Sequence, residues 1–105
     1  MSKKYGLHGK LKATAGNGEK LAAILLEASQ LVSTAKGCHL YLISKDRKEE
    51  EAVWVTEVWD SKEDHDNSLN VEGVRALISQ AMPILDGMPQ KGQELEILGG
   101  AGIAQ

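Results

Sequence analysis

The segment Val53-Trp54-Val55-Thr56-Glu57-Val58-Trp59 sets the tightest limit on what this chain can fold into. It reads as one strand that is apolar at positions of both parities, so both of its faces need cover. A chain of 105 residues can supply helices for one of those faces. A second copy of the same chain is the expected cover for the other. The strand runs straight into Asp60-Ser61-Lys62-Glu63-Asp64-His65, where Ser61 to Asp64 have the spacing of a capping box and open a helix carrying a histidine.

Hydrophobic periodicity places the remaining elements around that strand. Tyr5 to Ala13 alternates, with Tyr5, Leu7, Leu11 and Ala13 on one face and Lys4, His8, Lys10 and Lys12 on the other. The turn residues Ala15-Gly16-Asn17-Gly18 follow, with Asn17 as the expected N-cap. Leu21, Ile24, Leu25, Ala28, Leu31, Val32 and Ala35 then recur as a helical stripe, which Gly37 is expected to end. Cys38 to Ile43 is short, continuous and β-prone, and predicts a second strand buried on both faces. Asp46 to Glu51 is a charged hairpin turn leading to the third strand, Ala52 to Trp59. The second helical stretch carries Val71, Val74, Leu77, Ile78, Ala81, Met82 and Leu85, with Asn70 restarting it, and the loop 86–92 stops it. Glu94 to Leu98 alternates with lower hydrophobicity, as suits an edge strand, and the tail 99–105 is expected to be flexible or to cross onto a neighbouring subunit.

The order βαββαβ predicts one α+β domain over residues 1–105, with a ferredoxin-like four-stranded antiparallel sheet and its helices on one face. Two such sheets packed face to face would bury the remaining apolar side chains. A net charge of −3 with both signs interspersed gives no electrostatic basis for binding nucleic acid or an anionic membrane. No window approaches a membrane span, Met1 to Gly6 has no apolar run behind it, and the single Cys38 suits a reducing compartment. A cytoplasmic location is the expectation.

Glu57 and Trp59 share strand parity with Val53 and Val55, so carboxylate and indole fall on one face. A carboxylate in an apolar strand is costly unless it has a partner or a chemical role. His65 can reach over the same face, and imidazole suits proton transfer near neutral pH. Each residue also has a purely structural reading. Trp59 would be core, Glu57 tied to a backbone group or an arginine, and His65 part of a solvated helix face beside Glu63, Asp64 and Asp66. His8, His39 and Asn70 are further candidates for contacting a substrate, with exposed histidines and a helix cap as their plain alternatives, and Arg75 reads as a surface ion pair. The three histidines are far apart and outside any metal-ligand spacing, and Gly16-Asn17-Gly18 lacks the rest of a phosphate loop, so no cofactor and no metal is expected.

The run Trp54-Val55-Thr56-Glu57-Val58-Trp59-Asp60-Ser61-Lys62-Glu63-Asp64-His65, with Gly37-Cys38 opening the second strand, resembles the antibiotic biosynthesis monooxygenase domain family over nearly the whole chain. The resemblance implies a dimeric α+β barrel. It also implies a cofactor-independent monooxygenase that oxidises a small phenolic or quinol substrate with O2. In that reading His65 moves the proton, Glu57 supports it and Trp59 lines the pocket. Haem degradation, another activity on this scaffold, is similar in fold but uses a histidine and a tryptophan in the second helical stretch and an asparagine on the first strand. Leu69 to Leu85 has neither, and the first strand offers His8 but no asparagine. Two other classes use the same residues: a non-catalytic or stress-related small-molecule binder, and a proton-transfer enzyme such as an isomerase.

Overall fold

The computed structural model describes residues 3–87 and 92–103. The alternating segments become strands β1 (Lys4–Lys12), β2 (Cys38–Lys45), β3 (Ala52–Trp59) and β4 (Gln93–Ile97). Between them lie helices α1 (Gly18–Val32), α2 (Lys62–Asn67) and α3 (Val74–Ala81), with single 3-10 turns at Ser68–Asn70 and Met82–Ile84. All strand pairs are antiparallel and the sheet order is β2-β3-β1-β4. This is the ferredoxin-like α+β arrangement that the element order predicts. No described helix is long and apolar enough to cross a membrane. Of the loop 86–92 and the tail 99–105, positions 88–91 and 104–105 lie outside the described residues.

Register decides what each face of the sheet carries. Tyr5 pairs with Trp59, Leu7 with Glu57 and Leu11 with Val53, while Tyr41 pairs with Glu57 on the other side of β3. Directly opposed residues point to the same face, so these side chains all meet the helices. The core there has two parts. Leu21, Ile24 and Ala28 of α1 pack with Val53, Leu77 and Ala81, and Val32 and Val74 pack on Trp59. The other face carries His8, Trp54, Thr56, Leu42 and Leu95, and no element among the described residues covers it.

Several sequence expectations are corrected at element boundaries. β2 is an edge strand, with His39 and Leu42 exposed, because the strand order leaves only β3 beside it. Asn17 occupies the N-cap of α1, but its side chain donates to Thr14 Oγ1 (2.7 Å) and makes no cap bond. The free amides of that helix start are met by Glu51, whose carboxylate accepts from the backbone N–H groups of Gly16 and, at 3.0 Å, Gly18. A carboxylate there satisfies orphan donors and complements the positive end of the helix, so Glu51 does more than solvate the hairpin tip. Asp46 organises the same hairpin. Its carboxylate accepts from Trp54 Nε1 and from the amides of Lys48 and Glu49, which together lower its pKa to about 2, the Trp54 bond contributing most. Helix α3 restarts not at Asn70 but after Gly73, whose φ of 91° supplies the left-handed break.

Gly37 is left-handed (φ 82°), but it lies beyond the end of α1, which stops at Val32 with Ser33 as its cap. Gly37 turns the chain onto β2 directly beneath the buried Asp64, and a Cβ here would overlap that carboxylate. Gly37→Ala is therefore expected to destabilise the fold by more than the roughly 1–2 kcal/mol that left-handed backbone alone costs a residue with a side chain. Urea unfolding checks this: a loss below about 0.5 kcal/mol would show that the turn relaxes freely.

Candidate functional site

The site is assembled from three neighbouring pieces of chain. Strand parity turns Glu57 toward the helices between Val55 and Trp59. Ser61 Oγ accepts from the Asp64 backbone N–H (3.1 Å), as the capping spacing predicts, and fixes the first turn of α2 over the end of β3. That turn delivers His65, whose Nε2 stands 3.6 Å from Glu57 Oε1. Tyr41 arrives from β2 by its register opposite Glu57.

Trp59 is wholly buried, and its Nε1 donates to Glu57 Oε1 at 2.9 Å. The imidazole of His65 meets the indole edge-on, with ring centroids 5.9 Å apart and planes at 82°. On the far side of the imidazole, Nδ1 lies 2.9 Å from Asp66 Oδ1. With Asp66 as acceptor, Nδ1 carries the hydrogen and Nε2 is directed at Glu57. The result is a line of groups, Asp66–His65–Glu57–Trp59, running from solvent to the core. Both Trp59 and His65 engage Oε1, and Oε2 has no hydrogen-bond partner among the described residues.

Burial dominates the electrostatics. Desolvation pushes the Glu57 carboxyl above its ordinary value, opposed by the Trp59 hydrogen bond and by the charge on His65 when it is protonated. Burial, and next the negative charge of Glu57, raises the Tyr41 hydroxyl far above the usual phenol range. The His65 hydrogen bond, followed by that of Lys62, holds Asp66 below the ordinary carboxylate value. Asp66 therefore stays ionised while Glu57 is drawn toward its protonated form, a separation that suits an acid–base pair.

These groups border a cavity of about 230 Å³ between the sheet and the helices. Glu57, His65, Tyr41 and Ser68 supply its polar wall, and aliphatic side chains such as Leu25, Ala28, Leu77 and Met82 supply the rest. Trp59 is not part of that wall. It stands behind Glu57, packed on Val32 and Val74, and acts through its N–H.

The structure brings Glu57, His65 and Trp59 together and separates the other candidates from them. His8 is on the opposite face, stacked on Trp54 (centroids 4.8 Å, planes 14° apart) with Nδ1 2.9 Å from Thr56 Oγ1. His39 sits at the irregularity where β2 joins β3, and its Nε2 is 2.6 Å from Asp60 Oδ1. Asn70 is exposed and accepts from Arg75 Nη2 at 3.0 Å, and Arg75, whose Nε also donates to the Leu69 carbonyl, forms local hydrogen bonds and no ion pair among the described residues. None of the three borders the cavity. Tyr41, Ser68 and Asp66 emerge from the fold. Tyr41 had a usable signal in the sequence, since a hairpin centred on Glu49 pairs positions 41 and 57. Among the described residues no three His, Cys, Asp or Glu side chains converge as a metal site would require.

Helices on one face of a four-stranded antiparallel sheet, with a carboxylate–imidazole pair at a cavity beneath them, define a ferredoxin-like α+β protein. Residues 5–80 match the sequence profile described as antibiotic biosynthesis monooxygenase, and the chain belongs to that family. Among solved structures it is similar to a presumptive antibiotic biosynthesis monooxygenase from Chloroflexus aurantiacus J-10-fl, with 39% identity, TM-score 0.85, and coverage of 96% of this chain and 99% of that one. A Pseudomonas aeruginosa protein, PA3566, shares the fold at 21% identity and TM-score 0.82, over 94% of this chain and 98% of its own. A presumptive family member from Caulobacter crescentus CB15 does so at 18% identity and TM-score 0.82, over 93% and 92%. No curated protein sequence matches the chain.

Proposed function

We propose that this protein is a cytoplasmic, cofactor-independent monooxygenase that oxidises a small phenolic or quinol substrate with O2. The observation that carries the reading is Glu57: a buried carboxylate one imidazole away from solvent, with Oε2 unpartnered among the described residues at the wall of an apolar cavity. A quinol hydroxyl bound there loses its proton to the Glu57–His65 pair. The resulting electron-rich anion passes one electron to O2, and the two radicals combine at a ring carbon as a peroxide. The returned proton makes this a hydroperoxide, and loss of the hydrogen on the same ring carbon breaks the O–O bond. One oxygen stays as a carbonyl, the other leaves as water with those two hydrogens, and the quinol ends as a hydroxylated quinone. The aliphatic walls exclude competing water, and Tyr41 donates to the ring oxygen.

Oxygen consumption and product mass on presenting a panel of quinols test this reading. Substrate-dependent uptake above the uncatalysed rate supports it. Tight binding with no oxygen uptake and an unchanged ligand would make the protein a binder. An isomerised product formed under nitrogen would make it a proton-transfer enzyme.

The active unit is proposed to be a homodimer joined through the open sheet face. Leu42 and Leu95 are 49% and 46% exposed on that face, which also carries Trp54, and paired sheets would bury them. Leu42→Asp is expected to convert the dimer to monomer in sedimentation velocity at micromolar concentration. A wild-type chain that sediments as a stable monomer would refute the dimer.

A further inference from the structure

The cavity has a direction. Glu57 and Leu11, which both line it, are separated along the sheet by the four-residue step from Glu57 to Val53, the partner of Leu11. At ~3.3 Å per residue that is about 13 Å. Leu85, bridged to Ala13 just beyond Leu11, marks the same distant end, and Ile24 and Ala81 pack there. Every hydrogen-bonding side chain of the lining, namely Glu57, His65, Tyr41 and Ser68, belongs to the near end or to the segment following α2. The near end is polar and the far end is hydrocarbon.

Charge is equally one-sided. Among the described residues no lysine or arginine lines the cavity, and the Glu57 carboxylate is its one acidic group. An anionic ligand would enter a low-dielectric space facing a buried carboxyl, with His65, already paired with Glu57, as the one side chain of the lining that can carry positive charge. The size is also limiting, because about 230 Å³ falls below the roughly 300 Å³ at which drug-sized pockets begin. Leu69, Ile78 and Met82 line the cavity while remaining 43%, 41% and 47% exposed, so the opening to solvent is itself apolar.

We propose, building on the reading of this cavity as the reaction site, that its substrate is an uncharged, single-ring quinol or phenol bearing a short alkyl chain. The ring hydroxyl sits against Glu57, His65 and Tyr41, and the chain runs toward Leu11, Ala81 and Leu85. Ring acids such as carboxylated or sulfonated phenols are rejected because they would bring a second acidic group beside Glu57 in a low-dielectric space lined by no lysine or arginine.

Anaerobic calorimetric titration of wild-type protein with methyl-, propyl- and pentylhydroquinone and with 2,5-dihydroxybenzoate tests this without any turnover. Each buried methylene is expected to tighten binding about fourfold until the far end is filled. The carboxylated ring is expected to bind at least tenfold more weakly than methylhydroquinone. Met82→Lys, at a half-exposed position that tolerates a charge, is expected to flatten the chain-length series. Equal affinity across the alkyl series, equal binding of the carboxylate, or no binding at all would overturn the proposal. The oxygen electrode stays independent of these outcomes. A steep chain-length series without oxygen uptake keeps the ligand class and removes the monooxygenase, whereas oxygen uptake that ignores chain length does the reverse.

Discussion

Glu57→Gln is expected to slow turnover by about 10²–10⁴-fold, the usual contribution of a positioned acid–base group, while making the protein more stable at alkaline pH. The two effects have one cause. Gln keeps the shape and a carbonyl oxygen able to accept from Trp59 Nε1, but it cannot take a proton from a substrate and carries no charge to bury. In the wild type, burial raises the Glu57 pKa above its ordinary 4.5. A carboxyl raised in this way favours the folded state fully below pH 4.5, and that contribution is lost as pH rises through the folded value. Above it, every folded molecule holds a desolvated carboxylate. The melting temperature of the variant should therefore match wild type near pH 4 and exceed it increasingly toward pH 8. A variant that lost activity and stability together at all pH values would mean that Glu57 is an ordinary structural carboxylate. His65→Ala should lose activity on a similar scale without that pH-dependent gain, because removing the imidazole removes one of the two groups that favour the Glu57 charge.

Both the site and the sheet were partly legible in the sequence, for reasons that can be named. Parity alone put Glu57 and Trp59 on one face of β3, because a strand alternates strictly once its limits are known. The Ser61 spacing located the start of α2 and hence His65, since a cap fixes the phase of a helix. What parity cannot supply is register. His8 was visibly on the lysine face of β1, but only its pairing with Thr56 shows that this face is the one away from the cavity. Tyr41 became a site residue through the same kind of fact. The edge position of β2 was hidden for a further reason: its apolar run suits either a central strand or an edge strand that a partner will cover. The break before α3 is hidden because Asn70 has the residue type of a cap, while the bend uses the left-handed backbone of Gly73. The cavity itself has no sequence signature. It is enclosed by residues distant in the chain, from β1, α1, β2, β3 and α3.

Trp59→Phe gives the second large effect, and it separates packing from chemistry. Trp59 was readable as an aromatic pocket wall or as core, and it is a core residue that also serves the site, since its N–H is the hydrogen bond that opposes the burial of Glu57. Phenylalanine retains most of the apolar contact with Val32 and Val74 but donates nothing. Losing the donor leaves Oε1 facing His65 alone, and an unpaired buried polar group costs about 1–3 kcal/mol. That cost is largest where Glu57 is ionised, so urea unfolding should show a deficit at pH 8 that shrinks toward pH 4. The same loss lets burial push the Glu57 pKa further up, so the acid limb of the turnover profile should move to higher pH. If Trp59 only filled space, the deficit would be flat with pH and the profile unmoved. Combining Trp59→Phe with Glu57→Gln isolates the shared interaction. Glu57→Gln keeps the acceptor but removes the charge that this hydrogen bond offsets, so Trp59→Phe should cost less at pH 8 in the Glu57→Gln background than in the wild type, and the two costs should converge toward pH 4 as the wild-type carboxyl becomes protonated.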